Sequence, residues 1–195
     1  MSGVSASLHP AVDEPELQQE CDFSEALLEC QCAENKVTVK LKENISHNHL
    51  CGCSECWKPK GALFAQIAVV PSGTTEVTAN NDKLEVVEFN DNIQRYECTG
   101  CNVHMLGRVN NKDHHFYGLT FVHPELVTKG SLAPPEFAAF VSSLIESGTS
   151  ASHMQSIRGR LNELELDAYD MFSPEIMDII AWHQVKLASA KSLEA

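Results

Sequence analysis

Basic residues are scarce in this chain of 195 residues. Lysine and arginine together number 14 against 27 aspartates and glutamates, which gives a formal net charge of −13 at neutral pH. A protein this acidic gains little from counterion release on DNA or RNA, and anionic lipid surfaces repel it. The deficit therefore argues against nucleic acid or a membrane surface as the main partner.

Long apolar runs and several metalloenzyme signatures are also missing. The longest apolar run, 62–70, contains Gln66 and is too short to cross a bilayer. The first 20 residues have no apolar h-region, so we expect no secretory signal. Neither the H-E-x-x-H motif of zinc proteases nor the H-x-E with P-C-x-x-C pattern of zinc deaminases occurs. We expect a soluble, cytoplasmic protein with no membrane span.

Cysteine, in contrast, is abundant and clustered. Of the eight cysteines, seven fall into three tight groups: Cys30 and Cys32; Cys51, Cys53 and Cys56; Cys98 and Cys101. A disulfide across a single intervening residue is strained, so the C-x-C spacing favours thiolate ligation of a metal in a reducing compartment. The eighth, Cys21, belongs to no group and is predicted to be a thiol that binds no metal.

The spacing of the cysteines suggests two different metal sites. One short loop carries Cys51, Cys53 and Cys56, and Gly52 gives its backbone the freedom to turn between two ligands. Three protein ligands on a tetrahedral zinc leave one position open, as in catalytic sites, whereas four close a structural site. We therefore predict two zinc ions per chain, one on this loop and one on the remaining four cysteines. A different pairing, a single structural zinc with spare thiols, an iron–sulfur cluster, or no metal remain alternatives.

A zinc held by three thiolates favours a particular partner. The three sulfurs give the complex a net negative charge, which makes it a poor activator of water. A soft centre of this kind prefers a soft fourth ligand, and a substrate thiol bound there is held as the nucleophilic thiolate. The loop is therefore interpreted as a thiol-binding site.

The remaining pattern predicts a mainly β protein with an α-helical C-terminal appendage, an α+β fold. Alternating apolar and polar residues and turn signals predict strands at 26–29, 37–41, 63–70, 76–79, 84–89, 93–97, 104–109 and 116–121. Helical periodicity then predicts helices over 134–148, over 152–164 and from Ser173 onwards. We expect an N-terminal arm (1–22), a zinc-binding β domain (23–130) and a helical extension (131–195) packed on it or on a second subunit.

The segments around the cysteines resemble the family of glutathione-dependent formaldehyde-activating enzymes, S-(hydroxymethyl)glutathione synthases. The resemblance rests on CQCAENKV at 30–37, HNHLCGCSECWKPKGA at 47–62 and IQRYECTGCNVHM at 93–105. It continues with FYGLTFVH at 116–123, PEFAAFVSSLIESG at 135–148 and YDMFSP at 169–174. The chain departs from the wider superfamily at Ala33, where glycine usually follows the first C-x-C, and at 24–26, where Gly-Gly is common.

The resemblance implies a zinc-bearing antiparallel β-tent and a carbon–sulfur lyase of formaldehyde detoxification. It implies a structural zinc on Cys30, Cys32, Cys98 and Cys101, and a catalytic zinc on Cys51, Cys53 and Cys56. The implied reaction adds the thiol of glutathione to formaldehyde and gives S-hydroxymethylglutathione. A glutathione-binding carrier without catalysis and a structural zinc module for interactions remain alternatives, and a homo-oligomer stays open.

Two kinds of supporting residue are expected near the thiols. Glutathione carries two carboxylates, so an acidic protein needs local cations to hold it, and Lys58, Arg95 and Arg108 lie beside the cysteine groups. Lys60 is a further candidate by position. The proton donor remains open among five residues of the resembling segments: His47, His49, His104, Tyr117 and His123.

Overall fold

The structure is a computed structural model that describes residues 7–13, 23, 25–87 and 92–193, with side chains as far as residue 190. Cys21 and the end of the strand predicted over 84–89 lie outside these ranges. The described strands are β1 Ala26–Glu29, β2 Thr38–Leu41, β3 Ser46–Cys51, β4 Ala65–Pro71, β5 Thr75–Ala79, β6 Leu84–Val86, β7 Gln94–Cys98, β8 His104–Arg108, β9 Leu119–Val122, β10 Val127–Lys129, β11 Phe137–Ala139 and β12 Asp167–Ala168. The described helices are α1 Pro10–Asp13, α2 Met154–Glu163 and α3 Pro174–Leu193.

The strands form two open sheets. The smaller sheet has the order β10-β1-β2-β5 and is antiparallel throughout. The larger sheet has the order β12-β11-β3-β4-β9-β8-β7-β6, and it is antiparallel from β3 to β6. In the larger sheet β11 runs parallel to both β3 and β12. The expected fold class, mainly β with a C-terminal helical part, is confirmed.

The main core lies between the two sheets. Alternate residues along the strands point their apolar side chains into it. Leu28 of β1, Val39 of β2, Val70 of β4 and Met105 of β8 are fully buried in one cluster. A second cluster lies under α2, whose Ile157 and Leu161 are buried. They pack with apolar residues from other parts of the chain: Leu8, Leu50, Phe64 and Leu144. Each such buried aliphatic or aromatic side chain contributes about 1.5–3 kcal/mol relative to exposure.

The helix predicted over 134–148 does not exist, and this prediction was wrong. Residues Phe137–Ala139 form strand β11, and Val141–Ile145 form a short 3-10 turn. All three β11 residues are buried because the strand is paired on both edges, with β3 and with β12. A strand buried in this way has a continuous apolar sequence, which mimics a helical stripe. Phe140, with φ of +53°, separates the two pieces.

The other two predicted helices are confirmed as α2 and α3. Fewer apolar side chains of α3 are buried than its sequence suggested. Ile176 is buried against Phe137 and Phe116, whereas Ile179 and Val185 are exposed. The predicted strands are found with ends shifted by at most three residues, and β3, β10, β11 and β12 were not predicted. Among the described helices none is both long and apolar enough to cross a membrane.

The described part of the predicted N-terminal arm is ordered against the sheets. Residues 7–13 contain the single turn α1, and Leu8 and His9 have no exposed surface. The carbonyl oxygen of Leu8 accepts hydrogen bonds from the backbone N–H groups of Leu63 and Phe64, at 3.0 and 3.2 Å. This short segment therefore contributes core residues.

Candidate metal centres and the adjoining cavity

Four cysteines from two distant parts of the chain meet at one point. Cys30 and Cys32 follow β1, Cys98 ends β7, and Cys101 lies in the turn before β8. Their four sulfur atoms lie within 4.8 Å of one another, so the group could hold a metal ion. Since β1 belongs to the smaller sheet and β7 to the larger, an ion here would join the two sheets.

The surroundings of this group compensate negative charge on sulfur. The Lys83 ammonium group donates to the Cys32 sulfur at 3.3 Å, and the Val37 backbone N–H donates to the Cys30 sulfur at 3.2 Å. Burial raises the pKa of Cys32, but the hydrogen bond from Lys83 and those within the group outweigh it and lower the pKa to about 7. Four thiolates suit zinc and few other resident metals, so the donor set fits the expected ion.

The other three clustered cysteines lie on one loop at the end of β3. Cys51 is the last residue of that strand, and its sulfur lies 3.6 Å from the sulfur of Cys56. Cys53 is half-buried, and hydrogen bonds from Cys51 and Cys56 lower the pKa of its thiol. All seven clustered cysteines are free thiols.

Backbone contacts fix this loop in place. The Gly52 N–H donates to the Ala139 carbonyl at 2.9 Å, and the Lys58 ammonium group donates to the Cys53 carbonyl at 2.8 Å. A β-carbon added to Gly52 would lie 2.3 Å from the Phe140 carbonyl oxygen. Glycine is thus required here by a close backbone approach, whereas its φ is not positive and does not call for the backbone freedom expected from the sequence.

Gly52→Ala is expected to displace the three-cysteine loop from β11. The contact involves backbone that cannot rotate away, so we expect a loss of about 1–3 kcal/mol of stability and weaker metal retention by the loop. Thermal melting and zinc content of the purified protein would measure both. Gly73→Ala is the matched control, because nothing lies within 4 Å of its added β-carbon and its φ is ordinary. Equal behaviour of the two variants would contradict the close-approach argument.

A cavity of about 180 Å³ opens beside the three-cysteine loop. All three loop cysteines line it, together with the histidines His49, His104 and His123 and the cation Arg95. The rest of its wall is mainly apolar and includes four phenylalanines, Phe116, Phe121, Phe140 and Phe172. The thiols of the three-cysteine loop therefore face a mainly apolar cavity that contains a few polar groups from the described residues.

The three histidines differ in their partners. His49 is buried, stacks on Phe137 with ring centroids 5.0 Å apart, and donates from Nδ1 to the His47 carbonyl at 2.8 Å. Burial lowers the pKa of His49 to about 4, and burial also lowers that of His104 to about 4, with the electrostatic effects of His123 and Arg95 adding to it. His123 lies 3.3 Å from the carboxylate of Glu125.

Of the cations predicted to hold glutathione carboxylates, the structure brings one to the cavity. Arg95 lines it, whereas Lys58 points its ammonium group at the loop carbonyls of Gly52 and Cys53. The Arg108 guanidinium lies over the Tyr96 ring, 5.7 Å from its centroid, and does not belong to the described cavity wall. All three are close to the cysteines in sequence, but their side chains point to different places in the structure.

Of the other candidates, Tyr117 and Lys60 are exposed and lie outside the described cavity wall, as does His47. Trp57 packs edge-on against His123, with ring centroids 5.6 Å apart. The sequence reasoning missed the four phenylalanines and Glu125. Glu125 follows His123 by two residues in the stretch His123-Pro124-Glu125, but no signal in the sequence indicates that their side chains meet.

Comparison with known proteins agrees with the chemistry of these thiols. A model of a protein family described as glutathione-dependent formaldehyde-activating enzyme matches residues 27–143, a segment that contains all seven clustered cysteines. Among solved structures, the crystal structure of a Rhodobacter sphaeroides protein is similar, with 16% sequence identity and a TM-score of 0.40. That match covers 52% of this chain and 87% of the other.

Proposed function

Because this chain belongs to the family of glutathione-dependent formaldehyde-activating enzymes, we propose that it adds the glutathione thiol to formaldehyde at the three-cysteine loop. The observation that supports this most is the placement of three thiols, from one loop, at the wall of a largely apolar cavity. The second group, of four thiols, has a structural role in this proposal. The product is S-hydroxymethylglutathione, and the enzyme class is a carbon–sulfur lyase.

Each group of cysteines would hold one zinc ion. Cys30, Cys32, Cys98 and Cys101 supply four thiolates and would leave no position for substrate, whereas Cys51, Cys53 and Cys56 supply three. When bound by three thiolates, zinc favours a thiol substrate in its thiolate form. A reducing compartment such as the cytoplasm would keep all seven thiols available.

The chain's own residues would position the two substrates. Arg95 can pair with a carboxylate of glutathione at the cavity wall, and the phenylalanines exclude water from the thiol and the carbonyl carbon. Lys58 would act indirectly, because its hydrogen bonds to Gly52 and Cys53 hold the shape of the loop. Most of the rate gain would come from proximity, since thiols add to formaldehyde without a catalyst.

Exchange NMR on an equilibrated mixture of formaldehyde and glutathione tests the proposal. Catalytic amounts of the zinc-loaded protein are expected to speed exchange between free glutathione and its adduct. A small thiol without glutathione's carboxylates is the control and is expected to respond weakly. Saturable glutathione binding with no change in the exchange rate would instead make the protein a carrier, and the proposed reaction would be wrong.

A further inference from the structure

A buried carboxylate lies behind the cavity wall. Glu125 follows β9 in the 3-10 turn Pro124–Leu126, which sets its side chain beside that of His123. One carboxylate oxygen, Oε1, lies 3.3 Å from His123 Nδ1, 3.7 Å from His9 Nε2 and 3.5 Å from the Gln66 backbone nitrogen. The side chains of Glu125, His123 and His9 expose 9%, 7% and 0% of their surface. A carboxylate this deep in the protein needs a cation or several donors beside it.

The hydrogen bonds indicate which histidine can supply the positive charge. His9 Nδ1 accepts the Ala11 backbone N–H at 3.0 Å, so it bears no proton, and His9 is neutral with its hydrogen on Nε2. His123 Nδ1 faces a carboxylate, which only accepts, so Nδ1 bears a hydrogen. His123 can therefore gain a second proton on Nε2 without losing a hydrogen bond seen in the structure.

Hydrogen-bond partners also distinguish His123 from the other two histidines of the cavity wall. The His49 Nδ1–H donates to a backbone carbonyl, and His104 Nε2 lies 3.9 Å from the Glu97 carboxylate, beyond hydrogen-bond distance. His104 Nδ1 is buried and has no partner in the described structure. Of the three, His123 is the histidine with a carboxylate in hydrogen-bond range, the arrangement that orients an imidazole and stabilises its charged form.

We propose that His123 transfers the proton in the reaction at the three-cysteine loop, with Glu125 as the positioning residue; this rests on the proposed function. His123 Nε2 accepts the proton as the S–H bond of glutathione breaks. The sulfur lone pair forms the S–C bond to formaldehyde, and the π electron pair of the carbonyl moves to oxygen. Nε2 then returns the same proton to that oxygen. Atoms and charge balance without another reactant, and the reverse steps release formaldehyde.

His123→Asn tests the role directly. The asparagine amide can still donate to Glu125, so the fold is expected to survive, but it cannot carry a proton between substrates. We expect the protein-dependent exchange rate to fall by about 10²–10⁴-fold, as for loss of a general acid–base group. Glutathione affinity by calorimetry and zinc content are expected to stay within about threefold of wild type. His153→Asn, an exposed histidine at the start of α2, is the matched control.

Glu125→Gln tests the positioning role. The exchange rate is expected to fall by about 10–100-fold, while the imidazole ¹⁵N signals of His123 move as Nδ1 loses its charged acceptor. Glu163→Gln, on the surface of α2, is the control. If wild type accelerates exchange and His123→Asn does so equally, the His123 proposal is wrong while the proposed function stands. If the wild-type protein itself leaves the exchange rate unchanged, the proposed function is wrong. The His123 proposal, which depends on that function, is then wrong as well.

Discussion

Cys53→Ser is expected to abolish the glutathione-dependent acceleration of exchange, a loss of at least about 100-fold, while the protein stays folded. A serine hydroxyl is a hard, weakly acidic ligand and does not replace a thiolate as a metal ligand. The backbone contacts of the loop, from Gly52 to Ala139 and from Lys58 to Cys53, involve no sulfur and remain in the variant.

Three measurements check this result. Exchange NMR gives the activity, circular dichroism gives the thermal midpoint, and elemental analysis gives the zinc content, which is expected to fall from two ions per chain to one. Cys21→Ser is the chemical control, since Cys21 lies outside the three groups in the sequence. A Cys53→Ser protein that keeps wild-type exchange would remove the three-cysteine loop from the reaction.

Cys101→Ser is expected to have the opposite profile and to unfold much of the protein. A structural zinc contributes about 10–16 kcal/mol of apparent binding energy to the folded state, whereas the total stability of a domain is about 5–15 kcal/mol. Cys101 belongs to the group that joins β1 of the smaller sheet to β7 of the larger. Losing one of its four ligands therefore weakens the contact between the sheets as well as the metal site.

Thermal melting with and without a chelator checks the second result. Cys101→Ser is expected to melt at low temperature or to be unfolded at room temperature, and chelator is expected to bring wild type towards the same state. Any activity it loses is then secondary to unfolding. Equal and mild losses from Cys53→Ser and Cys101→Ser would contradict the division into one structural and one catalytic group.

The membership of the four-cysteine group could be predicted from the sequence because spacing and ligand count suffice for it, although its two halves lie far apart in the chain. The C-x-C spacing disfavours disulfides, and counting ligands leaves four thiols for a closed group and three for an open one. The structure does bring Cys30, Cys32, Cys98 and Cys101 within 4.8 Å. The helix α2 and most strands could also be predicted from their apolar periodicity, because each buries one face.

The features that depend on distant pairing could not be predicted in this way. Phe137–Ala139 becomes a strand because β3 and β12 lie on either side of it, and no neighbouring residue in the sequence indicates that. Strand β3 was missed because it carries buried polar residues, Asn48 and His49, whose hydrogen bonds come from tertiary structure. The positions of Lys58 and Arg108 likewise depend on the direction of their side chains.

The parallel pairing of β11 with β3 also sets an order of events during synthesis. A chain made from its N-terminus can close the four-cysteine group once Cys101 has emerged. The loop from Cys51 to Cys56 is made earlier, yet its backbone partner Ala139 emerges only after that group is complete. The nascent chain can therefore assemble the four-cysteine group before Cys51, Cys53 and Cys56 acquire their final geometry, and those three thiols stay open to oxidation for longer.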